Sequence, residues 1–475
     1  MLILDAEIDA QHQAGRRVDV RLEGGRIALV APAGSLRAEG IEARLHAAGK
    51  LLLPGLHDHH VHLAALAVSL DSLHCGPPRV RTAEQLAGLL EQQASAGEKE
   101  EWLRGIAYHE SVAGDIDRNW LDRIVPRRPV RIQHRSGRLW IVNSAGLERL
   151  LAPGGNIPSG MACAGGQPTG RILDADDWLA TRLPRRFPAL GKTGRLLARH
   201  GITGVTDTTP RNGPEEWAHF LAAQSAGELA QRVWLMGDAR LDTCPGERSD
   251  AAGLQRGALK IHLHEHDLPP LDALSAMIAR SHTLDRPAAI HCVTLTELVF
   301  ALGALECAGR HPGDRIEHAA IAPPDVLPLL RDRGVTVVTQ PNFIRERGDA
   351  YRRDVPLADQ TWLYRLRGFL DAGVPLAGST DAPFGDINPW ASMQAAVDRR
   401  TASGEILGGE ERLTPEEAVG LFLGEADSPG TSPRRIRPGI VADICLLDRP
   451  WQQARSGLAA VQVTASFRSG RLLVD

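Results

Sequence analysis

Lysine is scarce in this chain. Of 54 basic residues only Lys50, Lys99, Lys192 and Lys260 are lysines, and arginine supplies the rest. A lysine inside an apolar run therefore stands apart from its background. Charge of one sign is missing too. The formal net charge is −4, which gives no electrostatic reason to expect nucleic acid or an anionic membrane as a partner. No apolar run approaches the roughly 18 residues that span a bilayer. The opening MLILDAEIDA carries acids where a signal peptide carries bases, so a cytoplasmic location is expected. Cysteine is sparse: Cys75, Cys163, Cys244, Cys292, Cys307 and Cys445 are scattered, with no CxxC pair. That excludes a disulfide framework and a thiolate zinc site, and most of these thiols are expected to be small buried hydrophobes.

What is present describes an ordinary soluble globular chain, 43% hydrophobic and 24% charged. Its 475 residues suffice for about two to four domains, or for one large barrel with attachments. Both ends read as strands and turns. VDVRLEGGRIALVAP alternates around Gly-Gly and predicts a hairpin. GIVADICLLDRP and VQVTASFRSGRLLVD predict strands, with a turn at Ser469-Gly470. A small β-sandwich built from residues 1–54 and 426–475 is expected.

The middle, residues 55–425, alternates apolar β-rich runs with helical stretches. LLLPGL at 51, ITGVTD at 202, RVWLMG at 232, ALKIHL at 258, AAIHCV at 288, RIEHAA at 315, VTVVTQ at 335 and VPLAGSTD at 374 are the candidate strands. TAEQLAGLL, with Thr82 and Gln85, and TPEEAVGLF, with Thr414 and Glu417, fit capping boxes at helix starts. Nearly continuous apolar strands between helices predict a parallel sheet buried on both faces. Eight of them predict an α/β fold, the (β/α)8 TIM barrel. Residues 75–190 break the rhythm with the strand-like runs WLRGIAY and RPVRIQH and the Gly/Pro-rich loop LAPGGNIPSGMACAGGQPTG. They predict an insertion after the first barrel strand.

A barrel of this kind carries its site at the C-terminal ends of the strands. The polar residues expected there are His60 and His62 after the first strand, Lys260 in the fourth, His291 in the fifth, His318 in the sixth and Asp381 after the eighth. Imidazole and carboxylate suit a divalent metal, zinc above all. LLLPGLHDHHVHL holds two His-x-His pairs, His57 with His59 and His60 with His62. Each pair shares one face of an extended segment, and spacing does not separate them. His262, His264 and His266 share the face of Lys260 at period two, which leaves them as loop histidines or brings one of them within reach of the site. The insertion offers Tyr108, His109, His134, Arg138 and Trp140 as substrate contacts, and Gln340 and Asn342 follow the seventh strand. Arg138 could fork onto an acidic substrate group.

PGLHDHHVHL, ALKIHL, AAIHCV, DRIEHAA and GSTDAPFGD, in this order, resemble the motifs of the amidohydrolase superfamily. Within it, the chain is similar to the amidohydrolase-3 group, which includes enzymes like N-substituted formamide deformylase. NSAGL at 143, GQPTGRIL at 166 and PGIVADICLLD near the end extend the resemblance over nearly the whole chain. The chain departs from the group after Lys260, where HLHEHD stands in place of a common Asp-Gly, and after His291, where CVTLTEL stands in place of a common Gly-Asp-Arg.

The resemblance implies one or two divalent metals per chain. His60, His62 and Asp381 would hold one, His291 and His318 the other, and a carbamylated Lys260 would bridge them. It makes His60 and His62 the ligand pair and His57 and His59 its neighbours. It implies a hydrolase of carbon–nitrogen bonds other than peptide bonds (an amide, N-formyl group or cyclic amide) that uses metal-activated hydroxide, with Asp381 as proton shuttle. Deamination, lactone or ester hydrolysis and decarboxylation use the same metal set. A metal-binding homologue without catalysis is the remaining reading, and an intact Asp381 argues against it. The expected partner is a small-molecule substrate; homo-oligomerisation stays open.

Overall fold

The structure, a computed structural model, describes residues 1–8, 16–77, 79–96, 101–151, 157–183, 187–246 and 253–474. The chain divides into two compact units: Met1–Leu66 with Ala189–Asp475, and Ala67–Pro188.

In the first unit eight parallel strands pair in chain order. They are Leu56–Val61, Ile202–Asp207, Arg232–Gly237, Leu254–His262, Ala288–Cys292, Arg315–His318, Thr336–Thr339 and Leu376–Gly378. Every residue of Leu56–Val61 and of Ile202–Asp207 is buried, as a parallel strand covered on both faces requires. The last strand meets the first through its exit segment. The Asp381 amide donates to the His60 carbonyl at 2.9 Å. Thr380 donates from its amide and hydroxyl to the Asp58 carboxylate at 3.1 and 2.5 Å. The result is the α/β barrel that the strand count implied. Helices between the strands start on local signals. Thr414 with Glu417 forms the expected capping box, and Thr294 with Glu297 forms a second.

The first barrel strand differs from its sequence-based reading. Leu52–Pro54 pairs with Ile444–Leu447 in a terminal sheet, and the barrel strand begins only at Leu56. Gly55 makes the passage between the two: a Cβ there would meet the Thr203 hydroxyl at 2.2 Å. So His57, His59 and His60 lie within the strand and only His62 follows it.

The terminal segments form two four-stranded sheets. The Gly24-Gly25 and Ser469-Gly470 turns have positive φ throughout, the geometry of a two-residue hairpin. Ile3, Val20, Ile27, Ile444, Leu446 and Phe467 belong to one apolar cluster shared by both sheets.

The second unit is built on a six-stranded sheet. Leu103–Tyr108 and Val130–His134 are parallel neighbours in it. The Gly/Pro-rich stretch expected as a loop is partly a hairpin: Met161–Ala164 pairs antiparallel with Gln167–Leu173. Gly165 and Gly166 take positive φ at its turn, so glycine there served strand reversal. Residues 152–156 of that stretch lie outside the described residues. Thr82 makes half of its expected box. It accepts from the Gln85 amide at 3.3 Å, but the Gln85 side chain accepts from the Arg81 amide at 2.8 Å. Among the cysteines Cys75, Cys244, Cys292 and Cys445 are buried, Cys163 and Cys307 are exposed, and all six are free. Among the described residues no helix is long and apolar enough to cross a membrane.

Candidate metal centre

Side-chain alternation separates the two histidine pairs of the first strand. His57 and His59 lie on one face, rings 4.6 Å apart, and His57 Nε2 contacts the Thr206 hydroxyl at 2.9 Å. His60 and His62 lie on the other, rings 5.4 Å apart, and both meet the Asp381 carboxylate. Their Nε2 atoms are 3.5 and 3.3 Å from Asp381 Oδ1, without the alignment of a hydrogen bond. These three residues offer ligand atoms all within 4.8 Å of one another.

Three more expected residues converge on the same place. The His318 ring lies 4.8 Å from that of His60 and 4.5 Å from that of His291. His291 stands in register with Glu317 on the neighbouring strand, and Lys260 with Ala289. The Lys260 ammonium nitrogen is buried and has no hydrogen-bond partner. Buried polar atoms are nearly always partnered, so an unpartnered lysine beside an unpartnered carboxylate oxygen marks a place built for something else. Two of these residues also sit on strained backbone: His318 has φ 70° and Asp381 φ 56°.

The strain at His318 has a geometric use. Successive residues of a strand point to opposite faces. Yet Glu317 and His318 both reach His60, because the left-handed turn at His318 breaks the alternation. Glu317 is a residue of this cluster that sequence reading missed. It is fully buried, its Oε2 accepts from His60 Nδ1 at 2.5 Å, and its Oε1 accepts from Arg315 Nε at 2.5 Å. The available signal was Arg315-x-Glu317, two opposite charges at strand period inside an apolar run. Thr209 and Asp207 were missed as well. The Thr209 hydroxyl contacts His62 Nδ1 at 3.0 Å, and Asp207 accepts from the Thr209 amide at 3.0 Å.

These contacts aim the ligands. A carboxylate only accepts, so the His60 proton is on Nδ1 and Nε2 is left as a lone-pair donor. His318 is set the same way: its Nδ1 donates to Gln340 Oε1 at 2.6 Å, while Gln340 Nε2 donates to Ser379 at 2.9 Å. Such partners on the far nitrogen fix tautomer and orientation in metal sites. Burial pushes the imidazole of His60 down to about 3 and lowers those of His291 and His318, which favours the neutral, ligating form. Burial raises the Asp381 carboxyl, but His60, His62 and His318 outweigh it and hold it below the usual carboxylate range. Burial lowers the Lys260 ammonium to about 8, against the opposing pull of Glu317. The donor set and its orphaned atoms fit a divalent metal.

The other expected contacts find partners inside the protein. Gln340 holds His318 as described. Asn342 donates to Glu346 and to the Thr380 carbonyl, both at 3.0 Å. Both side chains are buried, and these contacts occupy their polar atoms. In the second unit the buried Tyr108 donates its hydroxyl to the Gly114 carbonyl at 2.6 Å. His109 caps the helix Glu110–Ala113, and His134 contacts Ser136 at 2.8 Å and Glu110 at 3.3 Å. The guanidinium of Arg138 forks onto Asp174, with Nε at 2.7 Å. Trp140 is buried in an apolar cluster with Val142, Leu147 and Ile172, beneath Arg104 and Arg131 at 5.4 and 5.5 Å from its ring.

Comparison with known proteins gives one consistent result. A family model described as "Amidohydrolase family" matches residues 45–474. N-substituted formamide deformylase of Arthrobacter pascens is 26% identical, over 99% of this chain and 98% of that protein. A metal-dependent hydrolase of Pyrococcus horikoshii superposes with a TM-score of 0.78 at 18% identity, covering 96% of this chain and 99% of that one. Atrazine chlorohydrolase TrzN of Arthrobacter aurescens, complexed with zinc, superposes with a TM-score of 0.55 at 14% identity, over 100% of this chain and 95% of that one.

Proposed function

The chain belongs to the amidohydrolase family and is a hydrolase, and on that premise we propose that it cleaves a carbon–nitrogen bond in a small molecule: a non-peptide amide, an N-formyl group or a cyclic amide. The observation that carries the reading is Asp381, a buried carboxylate whose Oδ1 has no hydrogen-bond partner and faces two imidazole nitrogens. Such a carboxylate can ligate an ion and can also take a proton, and the second role is the one hydrolysis needs.

In this reading His60, His62 and Asp381 would hold one divalent ion, and His291 and His318 would hold a second. Lys260 would serve as a further ligand in carbamate form, its neutral amine adding carbon dioxide with release of a proton. The lowered Lys260 pKa supports that chemistry, and an arginine could not perform it. Neutral imidazole and carboxylate make zinc the ion of choice. A bound divalent ion supplies a Lewis acid and makes water acidic enough to attack near neutral pH. The Asp381 carboxylate would accept a proton from the attacking water and return it to the departing nitrogen. Glu317, Thr209 and Gln340 keep the imidazoles of His60, His62 and His318 aimed while this happens. Resemblance to the deformylase supports an N-formyl amine as the first substrate to try.

A panel of N-formyl amines, cyclic amides, amino-heterocycles and esters, tested on zinc-loaded protein, checks the reading. Formate or ring-opened acid from the amides is expected. Turnover of esters alone, or ammonia from the heterocycles alone, would overturn it. Metal analysis of protein purified without chelator separates the two stoichiometries: two equivalents support the carbamate bridge, and one removes it.

A further inference from the structure

The imidazoles of the barrel mouth do not stop at the candidate ligands. From His266 through His264 and His262 to His291 the ring centroids step by 5.6, 4.5 and 4.1 Å. The line then continues to His318 and His60 by 4.5 and 4.8 Å. It runs unbroken from solvent to the bottom of the centre, since His262, His264 and His266 are exposed and His60 is buried. Its origin is simple. His262 is the last residue of the fourth strand and stands in register with His291 on the fifth. The chain keeps a histidine at every second position beyond the strand end.

Those spacings suit a shared ion. With metal–nitrogen bonds of about 2.0–2.1 Å, two imidazoles on one ion place their ring centroids on the order of 5 Å apart. The outer three rings do not close into a permanent cage: among the described residues the only group of three or more ligands within 4.8 Å is His60, His62 and Asp381. Each neighbouring pair can hold an ion weakly, and no trio holds it fast. The segment that carries them is anchored. The Glu265 amide donates to Glu297 Oε1 at 3.0 Å, and the Thr296 hydroxyl donates to Glu265 at 3.1 Å. Glu265 between His264 and His266, and Asp267 just after them, add negative charge beside the histidines, which favours cation approach.

We propose that His262, His264 and His266 form a loading track that captures a divalent transition-metal ion from solvent and passes it, ring to ring, to His291 and the buried centre. The inference rests on the metal-dependent reading of that centre. It goes beyond it by assigning a role to residues that neither bind the final ion nor touch the reacting atoms.

The test is metal uptake by chelator-stripped protein. Zinc is added at one equivalent and its transfer is followed with a chromophoric zinc indicator. Wild type is compared with His264→Gln/His266→Gln, in which the outer rings are replaced by a polar side chain without an imidazole. The expected result is uptake slowed about tenfold, the low end of what local capture adds to an on-rate, with unchanged equivalents at saturation and unchanged kcat once loaded. The single variant His266→Gln, at the exposed end, serves if the double variant folds poorly, and it is expected to slow uptake by a smaller factor. Equal uptake rates overturn the track. Fewer equivalents at saturation also overturn it, because the histidines would then be resident ligands. If stripped wild type takes up no zinc at all, the metal-dependent reading falls with it, an outcome distinct from equal rates.

Discussion

The barrel mouth and the second unit both carry polar and aromatic side chains that read as candidate site residues, and the structure disposes of them differently. In Ala67–Pro188 the polar groups that looked available in the sequence close on one another: Arg138 on Asp174, Tyr108 on Gly114, His134 on Glu110. At the mouth the protein leaves Lys260 Nζ and Asp381 Oδ1 buried without hydrogen bonds and bends His318 and Asp381 into the left-handed region. An unpartnered buried polar atom costs about 1–3 kcal/mol, and a left-handed non-glycine residue costs a similar amount. A fold tolerates such a cluster where a ligand repays it. The second unit also holds left-handed Ala107 and Asp174 and a buried Arg131 Nε without a hydrogen bond, so what sets the mouth apart is that its orphaned and strained groups gather among imidazoles.

The sharpest way to break the contrast is Asp381→Asn. The variant keeps the shape and loses the proton acceptor, so kcat is expected to fall about 10²–10⁴-fold. Activity near wild type would return Asp381 to an ordinary turn residue. Trp140→Ala probes the other region. Removing a buried tryptophan costs about 3–5 kcal/mol, and a lower denaturant midpoint with unchanged metal content is expected; lost metal with unchanged stability would contradict a packing role. Glu317→Gln retains an acceptor beside His60 and removes the charge. Metal affinity is expected to drop about 10–100-fold, as for other partners that orient ligands, read by competition with a chelator. Tyr108→Phe is the mildest, about 1 kcal/mol for one hydrogen bond, and should leave kcat/KM untouched; a large loss of kcat/KM would place its hydroxyl at the substrate.

Much of the fold was legible. Strand period, the Gly-Gly and Ser-Gly turns and the Thr414 capping box are local effects, and each appears where its residues predict it. The start of the first barrel strand was not legible, because LLLPGL at 51 is one continuous apolar run and the strand that begins at its last residue, LHDHHV, is mostly polar in sequence though buried. Only pairing with Ile444–Leu447 assigns Leu52–Pro54 to the terminal sheet. Gln340 and Asn342 show the same limit. A polar residue after a barrel strand reads as a substrate contact, and whether it faces ligand or wall depends on which neighbours reach it, here His318, Ser379 and Thr380.

By itself, then, the order of residues determined the barrel and its terminal strands, since these follow from period and turn chemistry, and it offered the candidate metal-binding side chains without choosing between the two histidine pairs. The tertiary structure decided which histidine pair faces the carboxylate, because alternation supplies two equivalent faces and only closure of the barrel against Asp381 distinguishes them. It also decided that Glu317 and His318, adjacent in the chain, converge on one imidazole. Two successive left-handed residues, His318 and Ala319, interrupt the pleat there, and no propensity of Glu-His announces it.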